Sequence, residues 1–161
     1  MPAAEIQLTP RAGLVHVAGN VDFLRKCQRV NVMFQVNIYA VILAAFSSFM
    51  LGGLWYSPLM FGKLWMNENK IVEGKGNPLR IFGISFVMSV ISAWAFAVWI
   101  GPAPELAHAI NQGVVVGLLF VCTSMGINYQ FSQRGFLLWA IDGGYHVAQF
   151  GLFGLVLGVW H

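Results

Sequence analysis

The last apolar segment of the chain carries an aspartate and a histidine at a spacing that could support proton chemistry. Asp142 and His146 are four residues apart, so both lie on one face of a helix; Gln149 continues that face and Tyr145 flanks it. An ionisable side chain inside a membrane span costs at least about 2.5 kcal/mol, which makes it a functional hypothesis by default. In this interpretation Asp142 accepts a proton and His146 relays it.

Other apolar segments bring polar residues to the same depth. Arg80 begins the second segment and Tyr56 ends the first. If the third and fourth segments run in opposite directions, Asn128 lies at about the depth of Asp142. The candidate intramembrane polar site is therefore Asp142, His146, Asn128, Arg80, Tyr56 and Tyr145.

Three interpretations of this site remain open. In a structural one, Asp142 pairs with Arg80 or completes a hydrogen-bond network that holds helices in register without chemistry. In a functional one, the site responds to protons or to a ligand. A third makes His146 a haem or metal ligand, but no second histidine is expected at its depth and the chain has no CxxCH motif.

Motifs of soluble enzymes are not found in the sequence. It contains no Gly-rich phosphate loop, no GxSxG, no HExxH and no paired carboxylates. We therefore expect no enzymatic activity, no cofactor and no metal.

The composition indicates the lipid bilayer as the solvent of these segments. Charged residues make up 9% of the 161 residues and hydrophobic residues 58%, whereas about 25% of a soluble domain is charged. Fifteen charges cannot cover a soluble surface of this size. The net charge of +3 is spread thinly over the chain and does not suggest a nucleic-acid partner.

Four segments are long enough to cross a hydrocarbon core, which takes about 20 apolar residues. They cover residues 36–56, 81–100, 111–129 and 137–160, and their continuous apolar runs favour helices over barrel strands. The sequence thus predicts an all-α integral membrane protein, an antiparallel bundle of four transmembrane helices. Aromatic residues typical of membrane interfaces mark the ends of these segments: Trp55, Tyr56, Trp65, Trp99, Tyr129, Trp139 and Trp160.

A short interfacial helix is expected after the first span. Ser57-Pro58 resembles an N-cap followed by proline, and it opens a segment with Leu64 and Trp65 that is too short to span. Asn77-Pro78 has the same pattern before the second span.

Glycines line the face of the fourth segment opposite the polar residues. Small side chains let two helix backbones approach closely, and ordinary packing within the bundle is one use of them. Homodimerisation through this glycine face is the other. The helix-packing glycines are Gly144, Gly151, Gly154 and Gly158, with Gly113 and Gly117 in the third segment.

Residues 1–32 differ from the four-helix transmembrane domain expected over residues 33–161. They form either a surface amphipathic helix or a dispensable extension, with Met33 as the natural first residue. Basic residues concentrate in the loops after the first and third spans. If residues 1–32 are discounted, this places both loops in the cytoplasm and both termini on the non-cytoplasmic side; if they belong to the protein, their own basic cluster competes with that orientation.

Two motifs resemble those of a known family. LGGLWYSPLMFGKLWM over residues 51–66 and LWAIDGGYH over residues 138–146 are similar to sequences of the bacterial membrane family known as domain of unknown function 1761. The resemblance covers about residue 35 to the C-terminus. It implies a four-helix protein of the bacterial inner membrane and brings no activity with it.

The chain also contains a short internal echo. YSPLMFGKLW over residues 56–65 parallels YQFSQRGFLLW over residues 129–139, although the second stretch is one residue longer. Such an echo would indicate a parallel repeat of two hairpins.

For function, three hypotheses follow. The first is a small accessory or scaffold protein that packs with itself or with another membrane protein. The alternative is a proton-coupled transporter or pore built around Asp142 and His146. A membrane enzyme or redox subunit is the third.

Overall fold

The computed structural model describes residues 35–70 and 77–161, and these residues are helical apart from connecting turns. The predicted extension over residues 1–32 lies outside the described residues. Helix α1 spans Ile38–Trp55, and Asn37 is its N-cap. The Asn37 side-chain oxygen accepts hydrogen bonds from the backbone N–H groups of Tyr39 and Ala40 at 3.1 and 3.3 Å. This cap satisfies donors that a helix start otherwise leaves unpaired.

Helix α2 spans Gly62–Asn69, which is shorter than the sequence predicted. Ser57 does not cap it. The Ser57 hydroxyl instead donates to the Leu54 carbonyl at 2.7 Å and accepts from the Leu59 N–H at 3.3 Å, closing a turn after α1. The helix begins at Gly62, where a Cβ atom would collide with the backbone of that turn. Glycine therefore lets α2 fold back against the end of α1.

Helix α3 spans Pro78–Ile100 and confirms the predicted cap. The Asn77 side chain accepts from the Arg80 N–H at 3.3 Å, and Pro78 occupies the first turn, where no amide hydrogen is needed. Helix α3 packs on α1 through a buried contact between the Ser48 and Ser89 hydroxyl oxygens, 2.9 Å apart.

Helix α4 is a continuous helix over Leu106–Phe131 whose middle, Val116–Cys122, is a π-helix. A π-helix disturbs the regular backbone pairing, and in a span the freed carbonyls need other donors. Two side chains supply them: Thr123 Oγ1 donates to the Leu119 carbonyl at 2.6 Å, and Trp139 Nε1 donates to the Cys122 carbonyl at 2.9 Å. The sequence predicted a span here but not that its middle is a π-helix.

Helix α5 spans Phe136–Val159 and lies at the centre of the fold, in contact with α1, α2, α3 and α4. Its contacts with α4 run in opposite order along the two helices. Gly158 lies near Leu106 at one end, and Trp139 lies near Gly126 at the other. The two helices are therefore antiparallel neighbours.

Glycines bring α4 and α5 into backbone contact. A Cβ atom on Gly117 would lie 2.7 Å from Val147 Cα, and one on Gly158 would lie 3.0 Å from Leu106 Cα. Gly113 and Gly154 leave even less room, against the backbones of Phe150 and Ala109. The remaining two of the predicted set behave differently: Gly151 makes an ordinary contact with a Val114 methyl group, and Gly144 faces Trp55 of α1.

Three helices of the described chain are long and apolar enough to cross a membrane, namely α1, α3 and α4. The sequence predicted four. Helix α5 has sufficient length, 24 residues, but Asp142, His146 and Gln149 lower its mean hydropathy. Asp142 and Gln149 are buried, so these polar groups are turned toward the other helices.

Candidate functional site

The carboxylate of Asp142 is the meeting point of three other segments. Its side chain is only 8% exposed, near the start of α5. One oxygen, Oδ1, accepts from the Tyr56 hydroxyl at 2.8 Å and from Trp65 Nε1 at 2.9 Å. The other oxygen, Oδ2, accepts from the Tyr129 hydroxyl. We call these four residues, Asp142, Tyr56, Trp65 and Tyr129, the aspartate clamp.

Each donor of the clamp comes from a different element. Tyr56 follows the last residue of α1, Trp65 lies in α2, and Tyr129 is close to the end of α4. The turn between α1 and α2 sets the first two side by side, since the Gly62 N–H donates to the Ser57 carbonyl at 2.9 Å. As a result the Tyr56 and Trp65 rings meet edge to face, with centroids 5.1 Å apart.

Aromatic side chains enclose the clamp. Trp55 Nε1 donates to the Ile141 carbonyl at 3.1 Å, which fastens the end of α1 to the residue before Asp142. The Tyr145 ring packs 5.4 Å from the Tyr56 ring, and its hydroxyl donates to the Ser48 carbonyl at 3.3 Å. These polar atoms of the enclosing rings are therefore satisfied by protein.

The clamp surrounds a carboxylate with neutral donors. Two O–H groups and one N–H group converge on the two oxygens of Asp142, an arrangement that suits the ionised form. Hydrogen bonds to an ionised group are about twice as strong as those between neutral groups. The clamp can therefore join several helix ends through a single side chain.

Of the six residues of the predicted site, Asp142 and Tyr56 belong to the clamp, whereas Arg80 and Asn128 lie apart from it. Arg80 is exposed at the start of α3 and makes none of these bonds. Of the two structural alternatives, the contacts of Asp142 are those of a hydrogen-bond network with neutral donors and not those of a pair with Arg80. Asn128 is also exposed. Successive residues of a helix point about 100° apart, so Tyr129 faces Asp142 while Asn128 points away.

His146 lies one turn beyond Asp142 and has another partner. Its Nδ1 atom is 2.8 Å from Oε1 of the buried Gln149, and its ring packs 5.1 Å from the Tyr145 ring. The structure thus brings Asp142, Tyr56 and Tyr145 together, with His146 paired separately. In the described ranges no group of three His, Cys, Asp or Glu residues could hold a metal ion.

Sequence reasoning overlooked Trp65 and Tyr129 as donors to Asp142. Both were interpreted as interfacial anchors because they lie at the ends of apolar segments. The internal echo contained a signal, since it aligns Tyr56 with Tyr129, and these are the two tyrosines that donate to opposite oxygens of Asp142.

An apolar cavity lies away from the clamp, between α3, α4 and α5. It is an open apolar cavity of about 330 Å³ beside the π-helix, and its lining includes Phe96, Trp99, Phe120 and Phe150. The lining has almost no polar surface, so it offers no convergent groups for catalysis.

A family model matches most of the chain. That model, described as a protein of unknown function (DUF1761), matches residues 39–158, a range that includes the whole clamp. Neither a curated protein nor a solved structure matches the chain.

Proposed function

The chain belongs to the DUF1761 family, and because the family's description assigns no activity, we propose a function from the geometry of this chain. We infer that it is a small four-span protein of the bacterial inner membrane that serves as an accessory or scaffold protein. In this role it packs with another membrane protein or with itself and catalyses no reaction.

The observation that carries this proposal is the set of three hydrogen bonds that Asp142 accepts from the protein. Both carboxylate oxygens accept hydrogen bonds, and the donors come from three different segments. A transport carboxylate must exchange its partners as the cargo binds and leaves. A carboxylate whose partners are all fixed side chains is suited instead to holding helices in register.

The fourth span in this proposal is α5. At about 1.5 Å per residue its 24 residues extend roughly 36 Å, which exceeds a hydrocarbon core of about 30 Å. Ionisable residues within spans almost always face the bundle interior or a water-filled cavity, and the burial of Asp142 is consistent with such a position in α5.

The proposed orientation places the clamp at the cytoplasmic side. Exposed Lys63, Lys70, Arg80 and Arg134 lie in α2 or next to helix ends at the clamp, and basic loops stay in the cytoplasm. Both termini of the bundle are then on the non-cytoplasmic side, and α2 lies as an interfacial helix at the cytoplasmic surface.

The test measures stability and proton flux with the same two proteins. Wild type and Asp142→Asn are purified, unfolded thermally, and reconstituted into vesicles that hold a pH-sensitive dye. We expect Asp142→Asn to lower the melting temperature, because the amide group cannot accept all three hydrogen bonds. We also expect wild-type vesicles to conduct protons no faster than empty vesicles.

A folded Asp142→Asn protein that loses a flux present in the wild type would contradict the scaffold proposal. It would favour the second candidate, a proton-coupled transporter or pore. One observation favours that candidate: polar pairs also lie beyond the clamp, His146 with Gln149 on α5 and Ser48 with Ser89 between α1 and α3. For it, His146→Ala is the discriminating variant, since this residue takes no part in the clamp.

A further inference from the structure

The exposed lysines and arginines of the described chain all lie at the clamp end of the molecule. Trp65 holds α2 to Asp142, which places Lys63 and Lys70 there. Arg134 lies in the loop that leads into α5, and Arg80 is in the first turn of α3. The Phe82 ring, two residues after Arg80, contacts the Phe49 ring in the last two turns of α1 at 6.0 Å.

The two loops at this end are joined to each other. Arg134 Nη1 donates to the Asn69 side-chain oxygen, so the loop after α4 is tied to the last residue of α2. The Arg134 guanidinium also lies 5.9 Å from the centre of the Tyr129 ring. Lys70 follows Asn69 directly, so the positive charges of the two loops belong to one surface, which also carries the single exposed carboxylate of Glu68 in α2.

Large apolar side chains are exposed among these charges. Leu59 is 87% exposed in the turn before α2, and Phe131 is 88% exposed at the end of α4. Leu64 of α2 is also exposed. A soluble polyanion would leave these side chains in water. A lipid surface would bury them at the boundary of headgroups and acyl chains, where amphipathic helices with Lys and Arg lie.

We propose that this basic face, formed by Lys63, Lys70, Arg80 and Arg134, binds the anionic headgroups of the leaflet in which α2 lies. The inference rests on the proposed membrane embedding and adds the class of lipid that the protein prefers.

The test compares two lipids in one membrane. The full chain is reconstituted in phosphatidylcholine vesicles that contain a trace of spin-labelled phosphatidylglycerol or spin-labelled phosphatidylcholine, and electron paramagnetic resonance gives the protein-bound fraction of each. A basic side chain near an anionic surface contributes about a fivefold preference. We expect a several-fold preference for phosphatidylglycerol, weakened at about 1 M salt because screening then acts within roughly 3 Å.

Two variants separate charge from packing. The neutral triple variant Lys63→Gln, Lys70→Gln, Arg80→Gln should lose most of the preference; Arg134 stays because it bonds Asn69. The matched control, Lys63→Arg, Lys70→Arg, Arg80→Lys, should keep the preference. A neutral variant with full preference, or a wild type with none, would overturn the inference.

Flotation of the same vesicles distinguishes a failure of the anionic-lipid inference from a failure of the membrane proposal. Protein that floats with the vesicles but shows no lipid preference contradicts only the anionic-lipid inference. Protein that does not float with the vesicles contradicts both.

Discussion

The clamp end of the protein and the crossing of α4 with α5 hold helices together by opposite means. At the clamp, three aromatic donors from three segments meet one buried carboxylate. At the crossing, glycines remove side chains so that two backbones touch, as Gly154 does against Ala109. Lipid provides no hydrophobic force between helices, so a membrane protein depends on such polar bonds and close packing.

The difference between the two regions is one of tolerance. The clamp depends on individual hydrogen-bonding atoms, so removing one hydroxyl lowers stability even when the side-chain volume is almost unchanged. The crossing depends on the absence of side chains, so adding one methyl group lowers stability even when no polar atom changes. Helix α5 takes part in both, with Asp142 toward the clamp and Gly154 toward α4.

The largest effect is expected from a methyl group at the crossing. In Gly154→Ala the new Cβ atom would overlap the Ala109 backbone and force the helices apart, which costs about 2–3 kcal/mol of unfolding free energy. The buried thiol of Cys122 provides the readout. In a Cys27→Ser background, a fluorogenic maleimide reports unfolding as Cys122 becomes reactive.

The matched control is Gly83→Ala, which adds the same methyl group to a helix at a position with nothing within 4 Å. It should leave stability unchanged or raise it slightly, because alanine favours helix over glycine. Equal losses for the two variants would mean that the crossing does not depend on backbone approach.

A smaller loss is expected at the clamp. Tyr56→Phe removes one donor to Asp142 and little volume, and a hydrogen bond to a charged group contributes about 1.5–3 kcal/mol in soluble proteins. Interhelical hydrogen bonds measured in a membrane protein average about 0.6 kcal/mol and reach about 1.7. We therefore expect a loss of about 1.5 kcal/mol, from denaturant unfolding followed by the same thiol reaction.

Tyr39→Phe is the control for that change, because Tyr39 is 71% exposed on α1; it should alter stability by less than about 0.5 kcal/mol. A double-mutant cycle of Tyr56→Phe with Asp142→Asn should show coupling. Additive losses would indicate that the two residues act independently and that the clamp is not a unit.

Much of this contrast follows from the sequence, but the residues that bind Asp142 do not. The spacing of Gly154 and Gly158 predicted close helix packing, since small residues matter through their position alone. The 24-residue helix around Asp142 was also foreseeable from its apolar residues. Which donors reach Asp142 was not, because a tyrosine or tryptophan at a span end serves equally well as an interfacial anchor.

The π-helix in α4 shows the same limit. Its residues, Val116–Cys122, are apolar and look like any other part of a span. Two side chains satisfy its carbonyls, Thr123 from the following turn and Trp139 from α5. The second of these is a tertiary contact, and no local pattern in α4 contains it.

The smallest effect is expected where the two means of association meet, at the crossing of α1 with α3. Ser48 and Ser89 are small and polar at once, with hydroxyl oxygens 2.9 Å apart. In Ser89→Ala the Ser48 hydroxyl keeps its bond to the Ala45 carbonyl at 2.9 Å, so no buried group is left unpaired. We expect a loss of about 0.6 kcal/mol, the average for interhelical hydrogen bonds. Ser89→Val also lacks the hydroxyl but adds volume and should cost more than Ser89→Ala; if it costs no more, this crossing does not depend on small side chains, unlike the crossing of α4 with α5.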